Sequence, residues 1–581
     1  MPTLDFKGKQ FIYGHHLTVP ICTLQTDADK SLTNDKDPSL NDNLIIHGDN
    51  LHALKALLPK YAGKVKCIYI DPPYNTGNEG WVYNDNVNSP MMQAWLEKHS
   101  PIDVEDLERH DKWLCMMWPR LHLLRELLTE DGAIFISIDD NEVHRLRAIM
   151  DDIFDAKDIF PKGNFVGQFI WAARIKNNSR LFSNSHDYIL CYLKNHEYLN
   201  EQRTSWRVRK QGLDDVYKKH IELGRKHGQD FPKIEKELAA WFSGLSDVDP
   251  AKRHRDYRYV DNRGPYSSTS TSPPVSGKDR YPVIHPITNK PCTVPINGWR
   301  YTQERMKELI ADDRILFGSN EKTVPRRKHY LRETEYETPY SVFYKDAQGA
   351  TQRLNRILGK VFPFPKDEGI LKSIFEAATG PNDIILDSFA GSGTTAHAVL
   401  SLNKEDGGNR KFILVECEDY ADTITAERVR RVINGVENVK DETLRNGLGG
   451  SFTYCTLGEP IDEEGMLTGE TLPSYETLAH YIAYTATGSA LTSIEKRKDY
   501  CFGETDNIRF YLIYERSLEF LESNASALDG ARAEQIAKTC QETGKKAYVY
   551  APQKFVSQKE LTDMGITFCQ LPYSIHRIAE A

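Results

Sequence analysis

No apolar stretch in this chain of 581 residues approaches the ~18 to 20 residues of a membrane-spanning helix. The start, Met1-Pro2-Thr3-Leu4-Asp5-Phe6-Lys7, has no signal-peptide h-region, so a cytoplasmic protein is expected. The ten cysteines run from Cys22 to Cys569 without a Cys-x-x-Cys pair, which suggests neither a zinc site nor a disulfide framework. Positive charge is not in excess either: the formal net charge is −9, so any surface for nucleic acid must be local. With 40% hydrophobic and 10% aromatic residues, the composition supports real cores, and the length allows roughly three to four domains.

The most informative stretch is Ile68-Tyr69-Ile70-Asp71-Pro72-Pro73-Tyr74-Asn75-Thr76-Gly77. A short β-branched and aromatic run cut off by an acid and two prolines predicts a buried parallel strand whose carboxyl end opens into a loop. Open α/β sheets place their chemistry there. The Asp71 carboxylate is an acceptor, Pro73 offers a carbonyl without an N–H, and Tyr74 adds a flat face. Such a tetrapeptide suits a planar amine, such as a nucleobase with an exocyclic NH2. Taken alone, it reads equally well as a strand ending in a proline-rich turn.

Residues 1–43 show little periodicity, and Thr26–Asn43 is rich in Asp, Asn, Ser and Lys, which predicts an exposed arm. Leu44-Ile45-Ile46 then reads as a strand and Leu51–Leu58 as a helix, with Asp49 between them as either a helix N-cap or a ligand group. Beyond Tyr74, a loop with Trp81, Tyr83 and Asn84 reads as a lid. Helix around Trp113–Leu128, strand at Gly132–Ile138, helix at Val143–Phe154 and strand at His186–Leu193 continue the alternation.

From about Arg203 the texture changes. Residues 203–263 hold 15 Lys and Arg against 10 Asp and Glu, interleaved with Trp206, Tyr217, Trp241, Phe242, Tyr257 and Tyr259. Ser267–Pro274 reads as a polar loop, and Arg326-Arg327-Lys328 forms a second basic cluster. These are either solvated faces or a surface that holds phosphates and stacks bases.

Ile384-Ile385-Leu386 reads as a strand, followed by Asp387-Ser388-Phe389-Ala390-Gly391-Ser392-Gly393-Thr394-Thr395 and an apolar helix. Strand, glycine turn and helix make a nucleotide-type cradle, because glycines admit close approach and the helix start offers free N–H groups. The turn carries no P-loop lysine, which disfavours ATP hydrolysis. The next strand, Phe412-Ile413-Leu414-Val415, ends at Glu416, where a ribose diol would be held.

The Asp-Pro-Pro-Tyr strand end and the Phe389-Ala390-Gly391-Ser392-Gly393 cradle on one chain resemble the S-adenosylmethionine-dependent amino-methyltransferases of DNA. The catalytic motif precedes the cofactor motif with a long basic segment between them, the order of the β class. Tyr281–Pro286 and Gly298-Trp299-Arg300-Tyr301 look like the recognition domain of modification (Mod) subunits of type III restriction systems. The resemblance implies an α/β fold with a Rossmann-like methyltransferase sheet. It further implies an N-terminal arm (1–43), a catalytic half (44–202), an inserted target-recognition domain (203–345), a cofactor half (346–440) and a small C-terminal α/β interaction domain (441–581).

By the same resemblance Asp71, Pro72, Pro73 and Tyr74 hold a flipped base. S-adenosylmethionine falls to Asp49, Asp387, Phe389, Ala390, Gly391, Ser392, Gly393, Thr394 and Glu416. Lys366, in Val361–Lys366, is expected at the methionine end of the cofactor, and Arg326, Arg327 and Lys328 on DNA. No metal is expected; double-stranded DNA, a second copy and a restriction subunit are the expected partners. Carbon methylation needs a nucleophilic cysteine, and no Pro-Cys dipeptide follows Asp71. An acid as the first residue of the tetrapeptide is typical of adenine-N6 enzymes, whereas serine is usual in cytosine-N4 enzymes. A stand-alone methyltransferase, a cytosine-N4 enzyme and a DNA-binding protein with an inactive methyltransferase fold are the alternatives.

Overall fold

The computed structural model describes residues 4–34, 36–77, 108–156, 158–172, 181–182, 184–247, 249–344, 347–437, 439 and 441–575. The loop with Trp81, Tyr83 and Asn84 lies outside the described residues. The chain forms two units, one of residues 1–204 with 340–581 and one of residues 205–339.

The first unit is built on ten strands: β1 (Cys22–Leu32), β2 (Leu44–His47), β3 (Val65–Ile70), β4 (Leu128–Ile138), β5 (Phe165–Ala172), β6 (His186–Leu193), β7 (Val342–Tyr344), β8 (Ile384–Asp387), β9 (Lys411–Glu416) and β10 (Phe452–Pro460). They lie in one sheet in the order β1-β10-β2-β9-β8-β3-β4-β6-β5-β7. Strands β10, β2, β9, β8, β3 and β4 are mutually parallel, and β6 runs antiparallel between β4 and β5. Ile45, Ile46, Ile68, Ile70, Leu386 and Leu414 are wholly buried, as strands covered on both faces require.

Helices connect and cover these strands: α1 (Asn50–Tyr61), α2 (Arg109–Leu127), α3 (Val143–Ile153), α4 (Glu368–Ala378), α5 (Thr394–Asp406) and α6 (Glu427–Asn434). From β3 the chain continues outward to β4, whereas from β8 it turns the other way to β9. The neighbouring pair β8 and β3, with Ile385 opposite Cys67 and Leu386 opposite Ile68, is therefore the switch point of the sheet, where a crevice opens beyond the carboxyl ends.

Three expectations are corrected. Residues 22–32 are not a free arm but the edge strand β1, antiparallel to β10, and Phe6, Ile12 and Val19 before it are buried. Its outward face is solvated, so the polar composition of an edge strand imitates a loop. Phe452–Pro460, expected within a C-terminal domain from residue 441, belongs to the first sheet as β10, between β1 and β2. Ser267–Ser270, read as loop, belongs to a strand.

That strand, Gly264–Ser270, lies in the second unit, in an antiparallel sheet ordered Ile315–Leu316, Arg326–Tyr330, Gly264–Ser270, Tyr259–Asp261. A hairpin of helices Leu213–His227 and Phe231–Gly244 shares a core with Val260 and Leu331. Trp299 and Val283 are buried in a second core, and the Trp299 indole donates to the Tyr281 carbonyl at 2.9 Å. These aromatics pack the unit rather than face solvent.

The C-terminal segment has its own sheet, ordered Cys501–Glu504, Ile508–Leu512, Lys546–Ala551, Ile566–Gln570, the last three parallel. Its helix Tyr475–Thr487 is tied to the first unit's core by Lys60 to Glu476 (3.0 Å) and by the Tyr484 hydroxyl to Glu126 (3.1 Å). Among the described residues no helix is long and apolar enough to cross a membrane.

Burial holds several imidazoles in the neutral form, among them His16, His122 and His480. Burial, aided by the Lys55 ammonium, brings His16 down to about 4. Burial and the stacked His16 ring, 4.3 Å away, do the same for His122, and burial with Lys60 does so for His480. The unfolded chain binds these protons near pH 6.5 and the folded chain only near pH 4, so stability falls as pH drops through that window. Thermal melting at successive pH values should show a falling midpoint; a flat profile contradicts the assignment. His122→Phe should flatten part of the slope.

Candidate active site

Four parallel strand ends, β2, β9, β8 and β3, line up along the crevice. They bring Asp49, Glu416, Asp387 and Asp71 around one cavity of ≈ 1130 Å³. The same cavity is lined by Tyr74, Phe389, Gly391, Ser392 and Lys366, so the two sequence motifs meet in one space.

On the cradle side, Asp387 is buried and accepts from the Phe389 amide (3.1 Å) and the Thr395 hydroxyl (2.6 Å). Burial, with the nearby Asp71 and Glu416 charges, pushes its carboxyl up to about 7 despite those donors. Asp387 thus closes the turn from within. Glu416 accepts from the Gly391 amide at 2.7 Å and the Glu418 amide at 3.1 Å; burial raises its pKa. Gly391 and Gly393 have φ of +50° and +75°, the left-handed region that glycine adopts freely. A Cβ on Gly393 would stand 3.1 Å from the Thr425 carbonyl.

Sequence reasoning missed the group that pins this turn. Arg428 of α6, buried, donates to the Ser392 and Thr394 hydroxyls at 3.0 and 2.8 Å, and burial holds its pKa down to about 10. Its only sequence signal is an arginine on the apolar side of an amphipathic helix. Asp49 combines both readings offered for it. It caps α1 through the Leu51 and His52 amides at 2.9 and 3.3 Å and lines the cavity. Burial works against its charge, but the His52 hydrogen bond and the Arg120 guanidinium hold its carboxyl below the usual range.

On the tetrapeptide side, the Pro73 carbonyl, expected to face a ligand, accepts the Trp113 indole N–H at 2.7 Å. Among the described residues no donor reaches the Pro72 carbonyl. Lys366, expected at the methionine end of a cofactor, lines the cavity and meets the tetrapeptide. Its ammonium lies 3.0 Å from Asp71 Oδ1, donates to the Tyr74 hydroxyl at 2.6 Å and sits 3.9 Å from Asp187. Burial raises the Asp71 pKa, while Lys366 opposes that rise. Asn75, at φ +58° and wholly buried, donates to Glu142 at 2.5 Å and fixes the exit of the tetrapeptide.

Arg326, Arg327 and Lys328 lie in the second unit. They are not equivalent: Lys328 is buried between Asp261 (3.0 Å) and Asp313 (2.8 Å), so its charge is spent internally, contrary to the expectation that it meets DNA. Arg326 is exposed and held by Ser268 at 2.8 Å; Arg327 is half-buried and donates to the Tyr301 hydroxyl at 3.0 Å. On β-strand alternation these two point to opposite faces.

An amine-sized acceptor site and a glycine cradle in one crevice define a group-transfer fold of the nucleotide-cofactor type. Residues 65–427 match the DNA methylase family (N6/N4 type), and the chain belongs to that family. It is 34% identical over 409 residues to the type III restriction-modification enzyme EcoP15I Mod subunit of Escherichia coli, covering 67% of this chain but only 61% of that relative. To the StyLTI Mod subunit of Salmonella typhimurium it is 30% identical over 519 residues, 84% of this chain and 71% of the relative. To the type II methyltransferase M.KpnI of Klebsiella pneumoniae it is 30% identical over 380 residues, 64% and 79%.

The cradle makes a direct expectation about stability. Gly393 and Gly407 share a left-handed backbone, φ +75° and +73°, but a Cβ at Gly407 meets nothing within 4 Å. Alanine at either site carries a conformational cost of about 1–2 kcal/mol. Thermal-shift measurements should therefore find Gly393→Ala the more destabilising, since the Thr425 carbonyl must also move. Equal midpoints for the two variants would refute the close approach.

Proposed function

We propose that the protein transfers a methyl group from S-adenosylmethionine to adenine N6 in double-stranded DNA, as the modification subunit of a type III restriction-modification system working in the cytoplasm. The observation that carries this reading is the single cavity shared by Asp71-Pro72-Pro73-Tyr74 and the Phe389–Gly393 turn. The cradle residues fit the cofactor. Ser388 Oγ is buried at the cavity wall without a hydrogen-bond partner among the described residues, Gly391 leaves room beside Phe362, and Glu416 stands where a ribose diol is held. When bound, S-adenosylmethionine supplies an electrophilic methyl on a sulfonium whose thioether departs.

The residues of the chain do the rest. The adenine amine is a poor nucleophile because its lone pair is delocalised into the ring. Acceptors on its two hydrogens, the Asp71 carboxylate and a diproline carbonyl, localise that pair toward the methyl. The Pro72 carbonyl is the better candidate, since the Pro73 carbonyl already holds Trp113. The nitrogen that gains a methyl loses a proton, and Asp71 is placed to take it. Because the target atom lies inside the stack, the base is flipped out, and stacking on Tyr74 contributes about 1–3 kcal/mol. The acidic first residue of the tetrapeptide supports adenine over cytosine. Relatives of both the type III Mod and the stand-alone type II kind keep a stand-alone methyltransferase as the second reading; co-purification with a restriction subunit separates the two.

The residue 205–339 unit is the proposed reader of DNA sequence, with the exposed Arg326 rather than Lys328 holding phosphate. Each phosphate contact contributes about −0.9 to the slope of log affinity against log salt. Arg326→Ala should therefore flatten the slope by about 1 unit, and an unchanged slope moves the DNA surface elsewhere. Asp71→Ala should bind S-adenosylmethionine in calorimetry as the parent does and lose at least about 100-fold in transfer. Mass spectrometry of nucleosides from modified DNA should find N6-methyladenine; N4-methylcytosine in its place overturns the base assignment.

A further inference from the structure

Lys366 stands in a cage that its sequence neighbourhood does not announce. Beyond Asp71, Tyr74 and Asp187, its ammonium lies over two rings, 4.7 Å from the centre of Tyr74 and 5.3 Å from that of Trp171. Trp171 and Asp187 are direct partners across the β5–β6 ladder, so one rung presents both an aromatic face and a carboxylate to the lysine. The segment ending at Lys366 leads into α4, on the cofactor-cradle part of the chain, while Asp71, Trp171 and Asp187 belong to the other. The lysine is the ionic tie between the two parts of the site.

Asp71 uses its two oxygens differently. Oδ1 is shielded from solvent and makes no hydrogen bond, so the Lys366 ammonium 3.0 Å away answers it as an ion pair, yet the side chain as a whole keeps 27% of its exposure. We infer that Lys366 is a positioning residue that anchors Asp71 through Oδ1, keeps it a carboxylate, and leaves Oδ2 turned to the amine of the target base. This rests on the proposed amino-methyl transfer.

The charge around Asp71 makes the anchor necessary. Asp187 from β6 is a negative neighbour, the Asp387 carboxyl from β8, pushed up to about 7, is part-ionised near neutrality, the Tyr69 and Tyr74 phenols from β3 and its loop are neutral, and Lys366 is the cation that answers them. Burial and these acids favour a protonated Asp71, and a protonated carboxyl no longer accepts at both oxygens. Losing an opposite charge at this range raises a carboxyl pKa.

The test uses the full chain carrying Lys366→Met and Lys366→Arg, with three readings. Calorimetry with S-adenosylmethionine should give affinities within about 3-fold of the parent. Methyl transfer to DNA should fall about 10-fold or more near neutrality in Lys366→Met, as expected from the ionised fraction lost per pKa unit. That loss should be recovered as pH rises, with the acidic limb of the profile displaced upward and restored by Lys366→Arg. Carbon-13 NMR of labelled aspartate, with Asp71→Asn to assign the signal, should show the Asp71 midpoint higher in Lys366→Met than in the parent. An unmoved midpoint overturns the inference, and so does lost cofactor binding with an unshifted pH limb, which would return Lys366 to the cofactor. A displaced midpoint in a chain that transfers no methyl overturns the proposed reaction and leaves the anchor standing. Lys366→Gln, uncharged but still a donor, gives the same readings should the methionine variant not fold.

Discussion

The pairing of β8 with β3 is the constraint on which the site depends. These two strands come from opposite ends of the methyltransferase sequence, with the whole 205–339 unit between them, yet they lie side by side and parallel. Because the chain leaves them in opposite directions, no crossover helix covers the ends of both. The gap so formed holds the acceptor tetrapeptide on one wall and the glycine turn on the other. Backbone hydrogen bonding of two short apolar strands, each buried on both faces, thus sets the distance between the two halves of the chemistry.

Within that gap the dominant problem is negative charge. Asp71, Asp387 and Glu416 stand on neighbouring strand ends, and burial disfavours their ionised forms. Each has a different answer. Asp387 is hydrogen-bonded within its own turn, Glu416 is bound by backbone amides, and Asp71 is paired with Lys366. Only Asp71 is answered by a cation alongside aromatic faces, which leaves it a polar group able to meet a ligand while the other two hold the turn together. Arg428 performs the matching task on the helix side, a buried cation whose Nη1 donates to two hydroxyls and a carbonyl.

The places where expectation and structure part have a common cause. Residues 22–32 and Ser267–Ser270 are strands whose outward faces are solvated, so their composition resembles a loop and carries no apolar period. Phe452–Pro460 is separated from the rest of its sheet by a helix and polar turns, and only its burial between β1 and β2 makes it part of the first core. Lys328 shares a run with two arginines, but it alone of the three is buried, and Asp261 and Asp313 take up its charge. Residue type indicates charge; partners distant in the chain decide where that charge is used.

What the sequence by itself determined was the set of local signals: acid-tipped apolar strands, a glycine turn before a helix, and Asp-Pro-Pro-Tyr. These depend on neighbours in the chain, so α1, β3, β8, α5 and β9 were legible, as were Asp71 and the Gly391–Gly393 turn. The tertiary structure alone decided that Lys366 joins Asp71, that Trp113 occupies the Pro73 carbonyl, that Trp171 and Asp187 meet Lys366, and that Arg428 holds the cradle. Each of these contacts joins residues distant in the chain and depends on which strands become neighbours. No local pattern encodes that order, because it follows from how the buried faces of the whole sheet pack together.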